Sequence, residues 1–239
     1  MMNSLKPTII ATSETTFLLE WPQLIDENQH QHIMVTGQYL RQALDGQITD
    51  VVISYCTIMI HYNPMVVNLF DLKKTLSEML NQPLLPFGHH QQNEITIPVY
   101  YGIDSGWDLE HVADVTEMTM SDVIELHTVG DYRAYATGFS PGFTYLGTLS
   151  QQLRLPRKES PRLRIPAGAV AIAGQQTAVY PSDTPGGWHV LGQTPLQLTT
   201  VKDGHMTTLI KPGDHVRFEA ITQDEFYELG GTLVTEDSL

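Results

Sequence analysis

The residues able to do chemistry are concentrated between Gly138 and Pro195, in the segments GFSPGFTYLG, PRKESPRLRIPAG and AIAGQQTAVYPSDTPGGWHVLGQTP. Three sets of side chains there can act on a ligand. The first is aromatic: Phe139, Phe143, Tyr145, Tyr180 and Trp188. The second is basic. Arg154, Arg157, Lys158, Arg162 and Arg164 place five of the 13 Lys and Arg residues in one short stretch. Guanidinium groups meet carboxylate or phosphate through two parallel hydrogen bonds, so such a loop in an acidic chain points to an anionic ligand or an acidic partner. A solvated loop that balances local charge fits equally well. The third set is polar: Gln175, Gln176 and Thr177 beside Gly174, and Ser182, Asp183 and Thr184 before Pro185. His127 is a candidate base, although a histidine at the end of a helix also serves as a C-terminal cap.

Several chemistries have no signature here. There is no GxxxxGK[ST] phosphate loop and no GxGxxG after a strand. HExxH and paired cysteines are absent, so no metal site is expected. Ser140 lies in GFSPG, where Pro stands in place of the second Gly of a nucleophile elbow. His89 and His90 sit in a polar linker, where solvated imidazoles are the ordinary case.

The elements that position these residues follow from pattern. Pro removes a donor and Gly adds backbone freedom, so the Gly- and Pro-rich run excludes a long helix. Its aromatics exclude a disordered linker. Short strands joined by ordered turns remain. Pro141 to Phe143 and Pro166 to Gly168 read as tight turns, with Pro fixing one φ and Gly supplying a positive one. The glycines of Pro185–Trp188 let a backbone or ligand approach closely.

Upstream, strands are expected over residues 8–10 and 16–20, a helix over 28–44 with Gly46 as its stop, and a hairpin over 48–53 and 57–62. A second helix is expected over 66–80. Strand, helix, strand, strand, helix suggests a split βαβ unit. NQPLLPFGHHQQNE reads as a linker. A strand over 94–102 and helices over 107–115 and 119–127 come next. Strands over 131–138, 164–174, 177–180, 188–192, 196–201 and 216–220 then argue for a barrel. Thr119 with Asp122, and Thr222 with Glu225, have capping-box spacing.

Composition narrows the function classes. The 239 residues suffice for one large domain or two ordinary ones. A formal charge of −14 repels phosphate backbones, so nucleic acid is not an expected partner. Cys56, the single cysteine, allows no intrachain disulfide and lies in an apolar strand-like run, where it reads as a small buried hydrophobe. MMNSLKPTII does not resemble a signal peptide, and no run approaches the ~20 apolar residues of a membrane helix. The expected compartment is the cytoplasm.

The ordered motifs GFSPGFTYLG, PRLRIPAGAVAIAG, QTAVYP and PGGWHVLGQTP resemble the family of 5-oxoprolinase B-type subunits. That family includes allophanate hydrolase subunit 1-like proteins and Kip-type inhibitors of sporulation histidine kinases. The resemblance implies an α+β N-terminal domain, residues 1–85, followed by a mainly β cyclophilin-like barrel domain, residues 86–239. It implies a pocket around Phe139, Pro141, Phe143, Tyr145, Gln175, Thr177, Tyr180 and Trp188, with Arg157, Arg162 and Arg164 on its loop. His127 and Arg162 are the candidates for catalytic roles. It also implies two further 5-oxoprolinase subunits as partners, the biotin-dependent-carboxylase-like C type and the A type. With them come ATP as cofactor, in a site shared with the partner, and a small carboxylated lactam as substrate. The alternatives it carries are a kinase-binding regulator and a urea or allophanate subunit. Three positions depart from the family pattern: Ala169 stands for Ser, Ala178 for Gly, and Gln193 for Arg.

Overall fold

The computed structural model describes residues 6–82 and 93–236. The expected domain boundary and the His89–His90 pair lie outside these residues. The chain divides into two compact units, Met1–Gln91 and Gln92–Leu239. No described helix is long and apolar enough to cross a membrane.

In the first unit the elements are β1 (Thr8–Ser13), β2 (Thr16–Glu20), α1 (Glu27–Ala43), β3 (Ile48–Ile53), β4 (Thr57–Tyr62) and α2 (Leu69–Leu80). The sheet order is β1-β2-β4-β3. Every pair is antiparallel, so β2 and β3 run parallel on either side of β4, with α1 between them in sequence. Alternation along β2 and β4 buries Phe17, Leu19, Ile58 and Ile60. They pack with Ile33 and Leu40 of α1 and Leu72 and Leu76 of α2. The second helix starts at Leu69 rather than at 66, because the Asn68 side chain accepts from the Asp71 amide and acts as the cap. Cys56 lies between β3 and β4 rather than within a strand, and it is half-buried.

The second unit contains β5 (Glu94–Tyr100), α3 (Leu109–Thr116), α4 (Met120–Thr128), β6 (Tyr132–Thr137), β7 (Thr144–Gly147) and a single 3-10 turn, Gln151–Leu153. Then come β8 (Arg162–Ile165), β9 (Ala169–Ala173), β10 (Gln176–Val179), β11 (Thr184–Gly186) and β12 (His189–Gln193). The last elements are β13 (Thr199–Lys202), β14 (His205–Thr208), β15 (His215–Ile221) and α5 (Gln223–Glu228). Seven of these strands close a barrel in the order β10-β7-β6-β15-β5-β12-β9. The parallel pairing of β5 with β15 brings the first and last strands of the unit together. Thr119 and Thr222 form complete capping boxes with Asp122 and Glu225.

The period of two along β9 separates two cores. Val170 and Ile172 join Ile97, Val99, Val216 and Phe218, together with Val112 of α3 and Val123 of α4. Ala169, Ala171 and Ala173 instead pack with Phe143, Tyr180, Trp188 and Val190. Small residues on this face leave room for the large rings that form the site.

The expected strand over 164–174 is interrupted. Pro166–Ala169 forms a turn in which the Ala169 amide donates to the Pro166 carbonyl and Gly168 adopts φ +83°. The polypeptide before it, β8, pairs with β11 in a separate two-stranded ribbon. The strands β7, β11 and β14 have no counterpart in the expected pattern; they are only three or four residues long and carry weak alternation.

At Gly168 a methyl group would meet two penalties: the positive φ, and a Thr194 carbonyl oxygen 2.6 Å from its position. Gly168→Ala is expected to cost about 1–3 kcal/mol, read as a lowered urea midpoint with an unchanged m-value.

Candidate functional site

The turn Ser140–Phe143 brings the first aromatics together. The Phe143 amide donates to the Ser140 carbonyl at 3.0 Å, and Gly142 has φ +86° after Pro141, as a type II turn requires. Phe139 precedes the turn at φ +73°, a conformation uncommon for a bulky side chain. It is 62% exposed and meets Phe143 edge-on at 5.2 Å and Tyr180 at 6.5 Å. Phe143 in turn contacts Tyr145, Tyr180 and Trp188 at 5.0, 5.2 and 5.7 Å. These rings enclose a cavity of about 90 Å³ lined by Phe139, Phe143, Tyr145, Arg157, Tyr180, Gly186, Gly187 and Trp188. Gly186 is required by contact, since a Cβ there would lie 2.3 Å from the Tyr180 hydroxyl.

Beside this cavity lies a buried carboxylate that the sequence motifs do not mark. Asp108 is 2% exposed and occupies the N-cap position of α3, yet it makes no side-chain cap bond. Its oxygens accept instead from Arg162 Nη1 at 2.7 Å, Arg162 Nη2 at 3.1 Å, the Val190 amide at 2.8 Å, and Lys158 Nζ. Burial by itself would push this carboxyl up. The hydrogen bonds from Arg162, Lys158 and Val190 outweigh that and hold it below the usual carboxylate value. Arg162 also lies over the Trp107 ring at 5.4 Å and donates through Nε to Glu236 at 2.6 Å.

The basic residues therefore divide by role. Arg154 donates to the Leu149 carbonyl, Arg164 to Asp183, and Lys158 and Arg162 to Asp108. Arg157 lines the aromatic cavity, is exposed, and makes no hydrogen bond or ion pair among the described residues. Both of its neighbours are tied down. The Pro156 carbonyl accepts from His189 Nε2 at 2.9 Å, and the Lys158 amide donates to the Gly187 carbonyl at 2.8 Å.

Other expected site residues are placed elsewhere. Pro141 shapes the turn and Gln175 sits exposed in the β9–β10 turn, and neither lines the cavity. His127 lies inside the last turn of α4, not after the helix, and is fully buried. Its Nδ1 lies 2.7 Å from the Tyr101 hydroxyl and its Nε2 lies 2.8 Å from Thr177 Oγ1. Thr177 in turn donates to the Ala171 carbonyl. With Thr177 donating to Ala171, Nε2–H is the donor to Thr177, and a neutral ring then accepts from Tyr101 at Nδ1. Burial pushes its pKa down to about 3. The structure gives His127 and Thr177 to the barrel interior, and Arg162 to the Asp108 pair.

Ala169 and Ala178 are fully buried beneath the aromatics without lining the cavity. Gln193 holds the C-terminal segment, donating through Nε2 to the Val234 carbonyl at 2.7 Å and accepting from the Val234 amide at 3.3 Å. Glu236 on the same segment reaches Arg162.

The chain matches the sequence profile of the "Carboxyltransferase domain, subdomain C and D" family over residues 7–209. It is 32% identical over 210 residues to the 5-oxoprolinase B-type subunit of Haemophilus influenzae, covering 88% of this chain and 96% of that protein. The chain belongs to the family of 5-oxoprolinase B-type subunits. It is 47% identical over 133 residues to the same subunit of Bacillus subtilis, a match covering 56% of this chain. That match spans about half (55%) of the Bacillus protein's own length. Among solved structures, the urea amidolyase of Kluyveromyces lactis superposes with a TM-score of 0.75, covering 95% of this chain and 16% of that one. At 15% identity it shows the fold alone. The carboxyltransferase assignment thus extends across both units described above.

Two measurements probe these networks. Asp108→Asn removes the countercharge of two largely buried cations and is expected to cost about 3–5 kcal/mol in chemical denaturation. His127 is neutral when folded, whereas the unfolded chain takes up a proton below about pH 6.5. The unfolded state therefore binds more protons between pH 6.5 and about 3, and stability falls as pH drops through that window. His127→Gln is expected to flatten this dependence in unfolding curves taken at pH 7, 6, 5 and 4.

Proposed function

We propose that this chain acts as the B-type subunit of an ATP-dependent 5-oxoprolinase, which opens 5-oxoproline to L-glutamate in the cytoplasm together with the A-type and C-type subunits. The observation that carries the reading is the aromatic cavity with one uncommitted guanidinium at its wall. At about 90 Å³ it is well below the 300–1,000 Å³ of sites for drug-sized ligands. A single small ring suits it, and an anionic substituent on that ring has a partner in Arg157. Aromatic walls strip water from such a ring, which strengthens every polar contact made to it.

The described cavities do not suit a nucleotide triphosphate. The aromatic cavity offers one arginine in a small volume. A larger one, about 470 Å³ beside Pro166, Asp183, Pro195 and Thr232, has no Lys or Arg in its lining. We therefore assign ATP to the assembled complex rather than to this chain alone, with the C-type partner completing the site. Lactam opening needs such help, because amide resonance makes the ring carbonyl a poor electrophile.

The deciding experiment is glutamate release from 5-oxoproline and ATP by the three mixed subunits, with each omitted in turn. Turnover is expected to vanish on omission of this chain and to return on its addition. An assembled ternary complex with no turnover would overturn the reading and leave a regulatory or ureido-compound role.

A further inference from the structure

Three polar side-chain groups on the aromatic cavity make no hydrogen bond among the described residues: the Arg157 guanidinium, the Tyr180 hydroxyl and the Trp188 indole N–H, of which the first two differ most in kind. Arg157 is a full cation on an exposed side chain whose backbone is fixed on both sides. Tyr180 is the reverse: 1% exposed by residue, lining the cavity, with no hydrogen bond to its hydroxyl among the described residues. A buried phenol normally finds an acceptor, because leaving one unpaired costs free energy. Here the ring is held edge-on by Phe143 at 5.2 Å, and the hydroxyl is backed by the bare Cα of Gly186. No side chain at 186 fills the space beside the oxygen.

Burial disfavours ionisation of this phenol, and the Arg157 charge opposes burial only in part. Tyr180 therefore stays a donor at neutral pH. A cation and a neutral O–H donor on one small apolar cavity match a ligand with two different acceptors. The guanidinium suits a carboxylate, and the phenol suits a neutral carbonyl oxygen.

From this arrangement we infer that Arg157 and Tyr180 form a two-point clamp for a small cyclic carboxylic acid. Arg157 takes the carboxylate in bidentate fashion and Tyr180 donates to the ring carbonyl. The ligand with both groups in the proposed function is 5-oxoproline, so the assignment of the carbonyl rests on that reading. The carboxylate half does not. Arg162 and Arg164, also on the basic loop, are spent on Asp108 and Asp183 and contribute no free donor pair. In this scheme Asp108 and His189 are positioning residues, acting through Lys158 and Pro156 on either side of Arg157.

The test is binding to the purified chain, followed by calorimetry and by ligand-observed NMR, with three probes. These are 5-oxoproline, 2-pyrrolidinone (which lacks the carboxylate) and cyclopentanecarboxylate (which lacks the lactam). The wild-type chain is expected to bind 5-oxoproline at least tenfold more tightly than either fragment. Arg157→Gln is expected to weaken 5-oxoproline and cyclopentanecarboxylate by tenfold or more while leaving 2-pyrrolidinone unchanged. Arg157→Lys should recover part of that loss, since it keeps the charge without the fork. Tyr180→Phe is expected to weaken 5-oxoproline and 2-pyrrolidinone severalfold and to spare cyclopentanecarboxylate. Arg217→Gln, on an exposed side chain paired with Asp131, serves as the unaffected control.

Wild-type binding that Arg157→Gln leaves intact overturns the clamp, as does failure of the wild-type chain to bind either carboxylate. Arginine-dependent binding of cyclopentanecarboxylate without preference for 5-oxoproline keeps the carboxylate half and removes the lactam assignment. That result separates failure of the clamp from failure of the proposed function.

Discussion

The buried carboxylate of Asp108 is the constraint on which the site depends. A carboxylate removed from water is tolerable only when several donors replace its hydration, and Asp108 has four. Those donors come from places far apart in sequence: Lys158 on a loop, Arg162 on β8, and the Val190 backbone on β12. The Asp108 amide returns a bond to the Val190 carbonyl, so the start of α3 is stitched to the barrel wall on both its polar groups. One charge thereby fixes a helix terminus, a barrel strand and a ribbon strand against each other. The loop between Arg154 and Arg162 would otherwise be a surface connection with little to bury.

This constraint sorts the charges. In a chain of formal charge −14, a lone guanidinium beside an apolar cavity is unusual, because the acidic surroundings offer many partners. Among the described residues Arg157 has none, because its loop is held in place by its neighbours, not by its own side chain. Pro156 is held through its carbonyl and Lys158 through both amide and ammonium, which leaves the residue between them with a fixed backbone and an uncommitted end. Preorganisation of this kind lowers the ordering cost of binding. Arg162, named from sequence as a candidate for a catalytic role, is held by Asp108 in the architecture that presents Arg157.

How much of this is legible in sequence depends on the range of the interaction. The capping boxes at Thr119 and Thr222 involve partners three residues apart, so a short motif contains the whole interaction. The aromatic lining is legible for a different reason: large rings among Gly and Pro have few stable arrangements except around a common core or cavity. The pairing of Arg162 with Asp108 spans 54 residues, and Asp108 sits where an acidic helix cap is ordinary. Its role depends on strand contacts that no local pattern encodes. His127 escapes a local reading for a related reason. An imidazole near a helix end reads as a base or a C-terminal cap, and only the barrel closure that brings Thr177 and Tyr101 to its two nitrogens makes it a core residue.

The structure also places the positions at which the resemblance implied other residues. Along β9, alternate residues serve different cores, and the alanines at 169, 171 and 173 keep the face beneath the rings shallow. A hydroxyl at 169 would fall within the buried cluster that holds Tyr180 and Phe143, away from the cavity lining, so it would change packing and not the contacts offered to a ligand. Gln193 differs in kind. Its amide matches the donor and acceptor of the Val234 backbone, whereas a guanidinium there carries donors only and leaves the Val234 amide without its acceptor. The glutamine thus pairs with a backbone partner two residues before Glu236, which itself accepts from Arg162. The C-terminal segment becomes a further weight on the Asp108 network, adding a second carboxylate to the arginine that the buried one already holds.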